Sequence, residues 1–94
     1  MIFEWDENKN IANIKKHGIG FAEACSAFYD DKAILFDDPD HSKDEERFLL
    51  IGMSLSARVM IVSHCYRSKG EMIRIISARK ATKSEVNCYI QGGG

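Results

Sequence analysis

The 94-residue chain has one proline, no internal repeat and no low-complexity stretch, so nothing divides it into separate units. Its length supports one domain and excludes architectures of about 200 residues or more, such as a complete β/α barrel. The expected domain is 1–91, with Gly92-Gly93-Gly94 as a flexible tail. Only three cysteines are present, Cys25, Cys65 and Cys88, odd in number and without a CxxC pair. That argues against a disulfide framework and a zinc ribbon. No apolar run approaches the roughly 18 residues that a membrane-crossing helix needs. The opening Met1-Ile2-Phe3-Glu4-Trp5-Asp6 has neither a basic nor a long apolar region, unlike a signal peptide. The expected location is therefore the cytoplasm, with reduced thiols. A Gly-rich phosphate loop, HExxH and Gly-x-Ser-x-Gly are all missing. Asp37, Asp38 and Asp40 lack the spacing of an EF-hand and read as a solvated turn, so no metal or cofactor is expected.

An excess of either charge is missing too. The 13 Lys+Arg against 14 Asp+Glu give a net charge of −1, which as a total speaks against a polyanionic partner. The distribution says otherwise. Residues 1–56 carry 6 basic and 12 acidic side chains, and residues 57–94 carry 7 basic and 2 acidic, so −1 is −6 followed by +5. An acidic front and a basic back fit a protein that meets an anion on one surface and a basic partner on another. With 45% hydrophobic and 29% charged residues, the chain has the means to fold.

The apolar periodicity changes along the chain. Phe3-Glu4-Trp5 alternates as a short strand, Asp6 suits a helix N-cap, and Gly18 the stop after Lys15-Lys16-His17. Ile11 and Ile14 lie three apart on one face of that helix, with Ala12 beside them. Phe21, Ala24, Cys25 and Phe28 follow at i, i+3, i+4, i+7 as a second helix. Ala33-Ile34-Leu35-Phe36 and segments near 46–53, 58–67 and 71–79 read as strands, with hairpin turns at Ser54 to Ala57 and Ser68-Lys69-Gly70. Thr82-Lys83-Ser84-Glu85 has the form of a capping box before a last helix bearing Val86, Tyr89 and Ile90. The order β-α-α-β-β-β-β-α predicts an α+β domain, an antiparallel β-sheet with helices packed on one face.

Closing both hairpins through three-residue loops sets the expected faces. Arg67 then lies opposite Glu71 and His64 opposite Arg74, while Phe48 pairs with His64 and Leu50 with Val62. Phe48, Leu50, Val62, His64, Tyr66 and Arg74 share one face, assigned to solvent. Leu49, Ile51, Ile61, Ile73 and Ile75 share the other, assigned to the core beneath the helices. An imidazole beside a guanidinium can move a proton while the cation holds a phosphate, and Tyr66 can stack on a base. Together they suit cleavage of RNA by its own 2′-hydroxyl; on the pattern alone, a cross-strand pair with no chemistry is the commoner account. Lys16 and His17 complement a helix C-terminus or offer a phosphate a second cationic edge. Arg79, Lys80 and Lys83 form a basic cluster at a helix start.

Read end to end, the chain resembles the BrnT family of bacterial type II toxins. The carriers are Phe3-Glu4-Trp5-Asp6, Lys9, Asn13, Lys16-His17-Gly18, Phe21, Ala24, Phe28, Glu46-Arg47 and Ile51-Gly52. The most specific is the block from Arg74 to Thr82, followed by Glu85 and Tyr89. The resemblance implies a RelE-like toxin fold and a metal-independent endoribonuclease that inhibits translation, without a cofactor. It implies a BrnA-like ribbon-helix-helix antitoxin in a 2:2 heterotetramer that alone contacts operator DNA. It also implies Lys16, His17, Glu46, Arg67, Arg74, Arg79 and Tyr89 as RNA-facing positions. With His64 and Tyr66 added from the register and Lys80 from the basic cluster, the expected catalytic set is His64, Arg74, Arg79, Glu46 and Arg67, with Lys16, His17, Tyr66, Lys80 and Tyr89 binding RNA. Tyr66 stands where relatives often carry an acidic residue before the arginine. A non-catalytic toxin-fold module that binds antitoxin or nucleic acid is the alternative.

Overall fold

Hairpin loop lengths decide which side chains share a face, and the computed structural model, which describes residues 1–92, departs from the expected count at one hairpin. Five strands form the sheet: β1 (Ile2–Glu4), β2 (Ile34–Asp37), β3 (Phe48–Met53), β4 (Val59–Arg67) and β5 (Met72–Lys80). Three α-helices accompany them: α1 (Glu7–His17), α2 (Phe21–Ser26) and α3 (Lys83–Ile90), with single 3-10 turns at Ala27–Tyr29 and Pro39–His41. The chain order agrees with the periodicity. Of the expected tail, residues 93 and 94 lie outside the described residues. Among the described residues no helix is long and apolar enough to cross a membrane.

Local chemistry accounts for the helix ends. The Asp6 carboxylate accepts hydrogen bonds from the Asn8 and Lys9 amides at 2.8 and 3.3 Å, and Gly18 closes α1 at φ 70°. Thr82 and Glu85 form the reciprocal capping box of α3.

The strand order is β1-β5-β4-β3-β2. Strands β2 to β5 are antiparallel, but β1 pairs with β5 in parallel, so the sheet is mixed and not purely antiparallel as expected. No hairpin ties β1 to a neighbour, so loop length does not set its direction. The β3–β4 register places Phe48 opposite His64 and Leu50 opposite Val62, as the count requires. The β4–β5 hairpin differs. Its loop holds four residues, Ser68 to Glu71, and pairs Arg67 with Met72. Ser68, Lys69 and Gly70 all adopt positive φ there. Further along, Ser63 pairs with Ser77 but His64 with Ile75, which leaves Ile76 as a bulge. The longer loop, before the bulge is reached, sets Arg74 opposite Cys65 and not His64.

The faces are also reversed relative to expectation. Leu50, Met60, Val62, Ile73, Ile75 and Ala78 form the main core with Ile19, Phe21, Ala24 and Ala27, beneath α1 and α2. Ile51 and Ile61 point the other way, into a smaller core with Ala81 and Tyr89 beneath α3. Helices therefore pack on both faces, and only part of the second face stays open. α1 meets the sheet through a polar residue: the buried Asn13 amide donates to the Ile19 and Ala78 carbonyls, both at 2.8 Å, and accepts from the Ala78 amide at 3.1 Å. Ala78 lies beyond the end of β1, so Asn13 supplies the hydrogen bonds that a neighbouring strand would. Ile11 and Ile14 are about half exposed.

Gly52 on β3 permits a close approach between the layers. A Cβ there would sit 2.8 Å from the Ala27 carbonyl oxygen, which belongs to the backbone and cannot rotate away. Gly52→Ala is expected to destabilise the fold by about 1–3 kcal/mol, read as a lowered urea midpoint; an unchanged midpoint would show that the layers separate freely.

Candidate active site on the open sheet face

Because the bulge reverses the side-chain parity of β5, Arg74 and Arg79 share the open face although they are five residues apart. Arg67 on β4 and Arg47, two residues before Leu49, join them on that face. Each of three arginines meets a carboxylate. Arg74 donates to Glu4 at 3.2 Å, and Arg67 approaches Glu4 and Glu45, both at 3.5 Å. Arg79 grips Glu85 with both terminal nitrogens, at 2.8 and 2.9 Å. Arg79, helped by the Thr82 amide against the opposing cost of burial, holds the Glu85 carboxyl down to about 2. Arg47 is different. Its Nε is buried and has no hydrogen-bond partner among the described residues.

A depression of about 330 Å³ lies between Arg47 and Arg79, floored by Ser63, Ser77, Leu49 and Ile61. Asp38 and His41 form its rim, and His41 and Arg47 also border a second hollow of about 420 Å³. The one-turn helix Pro39–His41 stacks residue 41 over residue 38, since i and i+3 eclipse in a 3-10 turn. His41 Nδ1 lies 3.1 and 3.0 Å from the two Asp38 oxygens. Guanidinium groups around a pocket with hydroxyls and an oriented imidazole can hold a phosphodiester and move a proton.

The structure brings together Arg67, Arg74 and Arg79 of the expected catalytic set and separates the rest. His64 is a correction: it is fully buried on the covered face, between Phe28 at 4.8 Å and Phe48 at 6.1 Å ring to ring. Its Nδ1–H donates to the Val62 carbonyl at 3.1 Å, Nε2 faces the Tyr66 hydroxyl at 3.3 Å, and burial pushes its pKa down. The slip of the β4–β5 register carried it away from Arg74. Tyr66 shares the covered face with it. Tyr89 is buried under α3, where its hydroxyl donates to Asp30 at 2.6 Å and, with that carboxylate as the main cause, is pushed up to about 12. Glu46 is exposed ahead of β3, and its neighbour Glu45 is the one that meets Arg67. Lys16 and His17 are exposed in the last turn of α1, in the layer on the covered face, and exposed Lys80 follows Arg79 opposite Met60.

Sequence reasoning missed Arg47 as a site residue, and His41 with Asp38. The available signal was Asp-Pro-Asp-His, in which proline at the first position of a turn sets an acid and an imidazole three apart. It was read only for metal ligands. Two carboxylates of the acidic front half are structural: Glu23 binds Arg58 and Ser54, and Asp30 accepts from Tyr89 and the Met53 amide.

Comparison with known proteins agrees with the resemblance. A family profile described as "Ribonuclease toxin, BrnT, of type II toxin-antitoxin system" matches residues 5–85. The 1.1 Å crystal structure of the Brucella abortus ribonuclease toxin BrnT is similar, with a TM-score of 0.67 and 27% identity. The match covers 88% of this chain and 100% of that one. Among curated proteins nothing matches.

The Arg79–Glu85 grip carries a pH signature. A carboxyl held below its ordinary value of 4.5 stabilises the fold fully above that value and loses the contribution as pH falls toward about 2. Glu85→Gln is therefore expected to lower the melting temperature clearly at pH 7 and much less at pH 3. An equal loss at both would assign the effect to packing.

Proposed function

The chain belongs to the BrnT family of ribonuclease toxins of type II toxin–antitoxin systems, and from that premise we propose that its open sheet face is the surface that cuts RNA. The observation that carries the reading is Arg47, whose buried Nε lacks a partner beside the depression that Arg79 also lines. A buried guanidinium nitrogen without an acceptor is costly, and a phosphate oxygen is the acceptor that its geometry suits. Arg79, already oriented by Glu85, grips the same phosphate or its neighbour. Arg67 and Arg74 hold the next phosphates along the strand, which displace Glu4 and Glu45. In this reading His64 and Tyr89 shape the two cores, and Lys16, His17, Tyr66 and Lys80 lie outside the cleavage centre.

The reaction is internal cleavage, an endoribonuclease step in which the 2′-oxygen attacks its own phosphate and releases a 5′-hydroxyl end. Guanidiniums meet the charge that grows on the phosphoryl oxygens, so the cleavage is proposed to need no divalent metal. Asp38, the buried member of the acidic turn, supports this because it is committed to His41. The fold is taken as RelE-like, the location as cytoplasmic and the outcome as arrested translation.

A type II toxin has an antitoxin partner. A BrnA-like protein with a ribbon-helix-helix domain, bound two to two and alone touching operator DNA, is the proposed form. Co-expression with a neighbouring gene of that kind should yield an equimolar complex by light scattering and quantitative amino-acid analysis. A complex of other stoichiometry would refute the two-to-two assembly.

Pure protein in excess chelator is expected to cut single-stranded RNA and leave 2′,3′-cyclic phosphate ends. Arg47→Ala and Arg79→Ala should each slow cleavage about 10²–10³-fold at unchanged folding. Cleavage that chelator abolishes would overturn the metal-free chemistry. Intact RNA with folded protein would support the non-catalytic module instead.

A further inference from the structure

Resting on the reading just given, we propose that His41 is the general base of the cleavage and Asp38 its positioning residue. The chain has three histidines. Both nitrogens of His64 are engaged inside the core, and His17 sits in the helix layer on the covered face. His41 alone borders the depression shared with Arg47 and Arg79.

The geometry sets its tautomer. The Asp38 carboxylate accepts from Nδ1, so the proton resides there and the lone pair on Nε2. Among the described residues Nε2 has no hydrogen-bond partner, and the side chain is 66% exposed, so a substrate can reach it. Asp38 is held from three directions while its own side chain is only 12% exposed. Its amide donates to the Arg47 carbonyl at 2.9 Å, and its carbonyl accepts from the His41 amide at 3.2 Å and the Ser42 hydroxyl at 2.7 Å. Ser42 Oγ in turn accepts from the Arg47 amide at 2.9 Å. One hydrogen-bonded unit thus fixes the imidazole relative to the arginine with the unpartnered Nε. The spacing of base and phosphate clamp is built into the backbone rather than left to flexible side chains.

With a phosphodiester over the depression, Nε2 takes the proton of the 2′-hydroxyl. The 2′-oxygen–phosphorus bond forms, the phosphorus–5′-oxygen bond breaks, and the leaving 5′-oxygen takes a proton from solvent. His41 then returns its proton to solvent, so the cycle closes without oxidant, reductant or co-reactant.

The test uses the full chain, a labelled single-stranded RNA, and the variants His41→Ala and Asp38→Asn. His41→Ala is expected to lower kcat about 10²–10⁴-fold at unchanged KM and melting temperature. Added imidazole should recover part of that loss, because the ring position opens to solvent. Asp38→Asn should lower kcat with little change in KM. Cleavage by His41→Ala within about twofold of the native chain overturns the assignment while leaving the ribonuclease reading intact. So does a loss that appears only in KM or that imidazole does not restore. If the native chain itself leaves RNA uncut, the ribonuclease reading and this inference fall together.

Discussion

A single extra residue in the last strand, Ile76, organises the open face of the sheet, the surface proposed to meet RNA. Strict alternation would set Arg74 and Arg79 on opposite sides of the sheet. The bulge restores them to one side, and it does so beside the longest strand pair in the molecule. The Arg79–Glu85 grip and the depression between Arg47 and Arg79 follow from that parity, while the four-residue loop sets the Glu4 bridge between Arg67 and Arg74. His64 shares the parity of Val62 on β4 and so stays on the covered face, where it fills space between two phenylalanines.

Charge is arranged on the same plan. An acidic front half and a basic back half looked like two surfaces for two partners. In the folded chain much of that difference is closed internally, because Glu4, Glu23 and Glu45 reach back-half arginines 67, 74 and 58. Such pairs contribute little stability where they are exposed, yet they hold the guanidiniums in the orientation that the proposed phosphate contact needs. A phosphate that exchanges with a carboxylate meets an arginine already in place.

Much of the architecture was legible, for physical reasons that can be named. Asp6, Gly18 and the Thr82–Glu85 box are local signals, and each marks the helix end it forms. The β3–β4 register was countable because the turn between those strands has a well-marked length. The β4–β5 register was not, since a Ser-Lys-Gly turn closes with three or four residues at similar cost and only tertiary packing places a bulge. Asn13 shows the limit of hydrophobic patterning: a buried amide serves as the end of a missing strand while Ile11 and Ile14 stay largely at the surface. Arg67, Arg74 and Arg79 were found by type and family pattern, but Arg47 and the pair of Asp38 and His41 were not, because their meaning depends on a one-turn helix placed beside a distant strand.

The account stands on phosphate reaching the open face through Arg47 and Arg79. Arginine side-chain NMR during titration with an uncleavable 2′-O-methyl oligonucleotide reports that contact most directly. The account predicts that the Nε–Hε signals of Arg47 and Arg79 shift together at substoichiometric ligand while the ring signals of His64 stay fixed. Shifts confined to Lys16, His17 and the α1 surface, with both arginine signals unmoved, would contradict it.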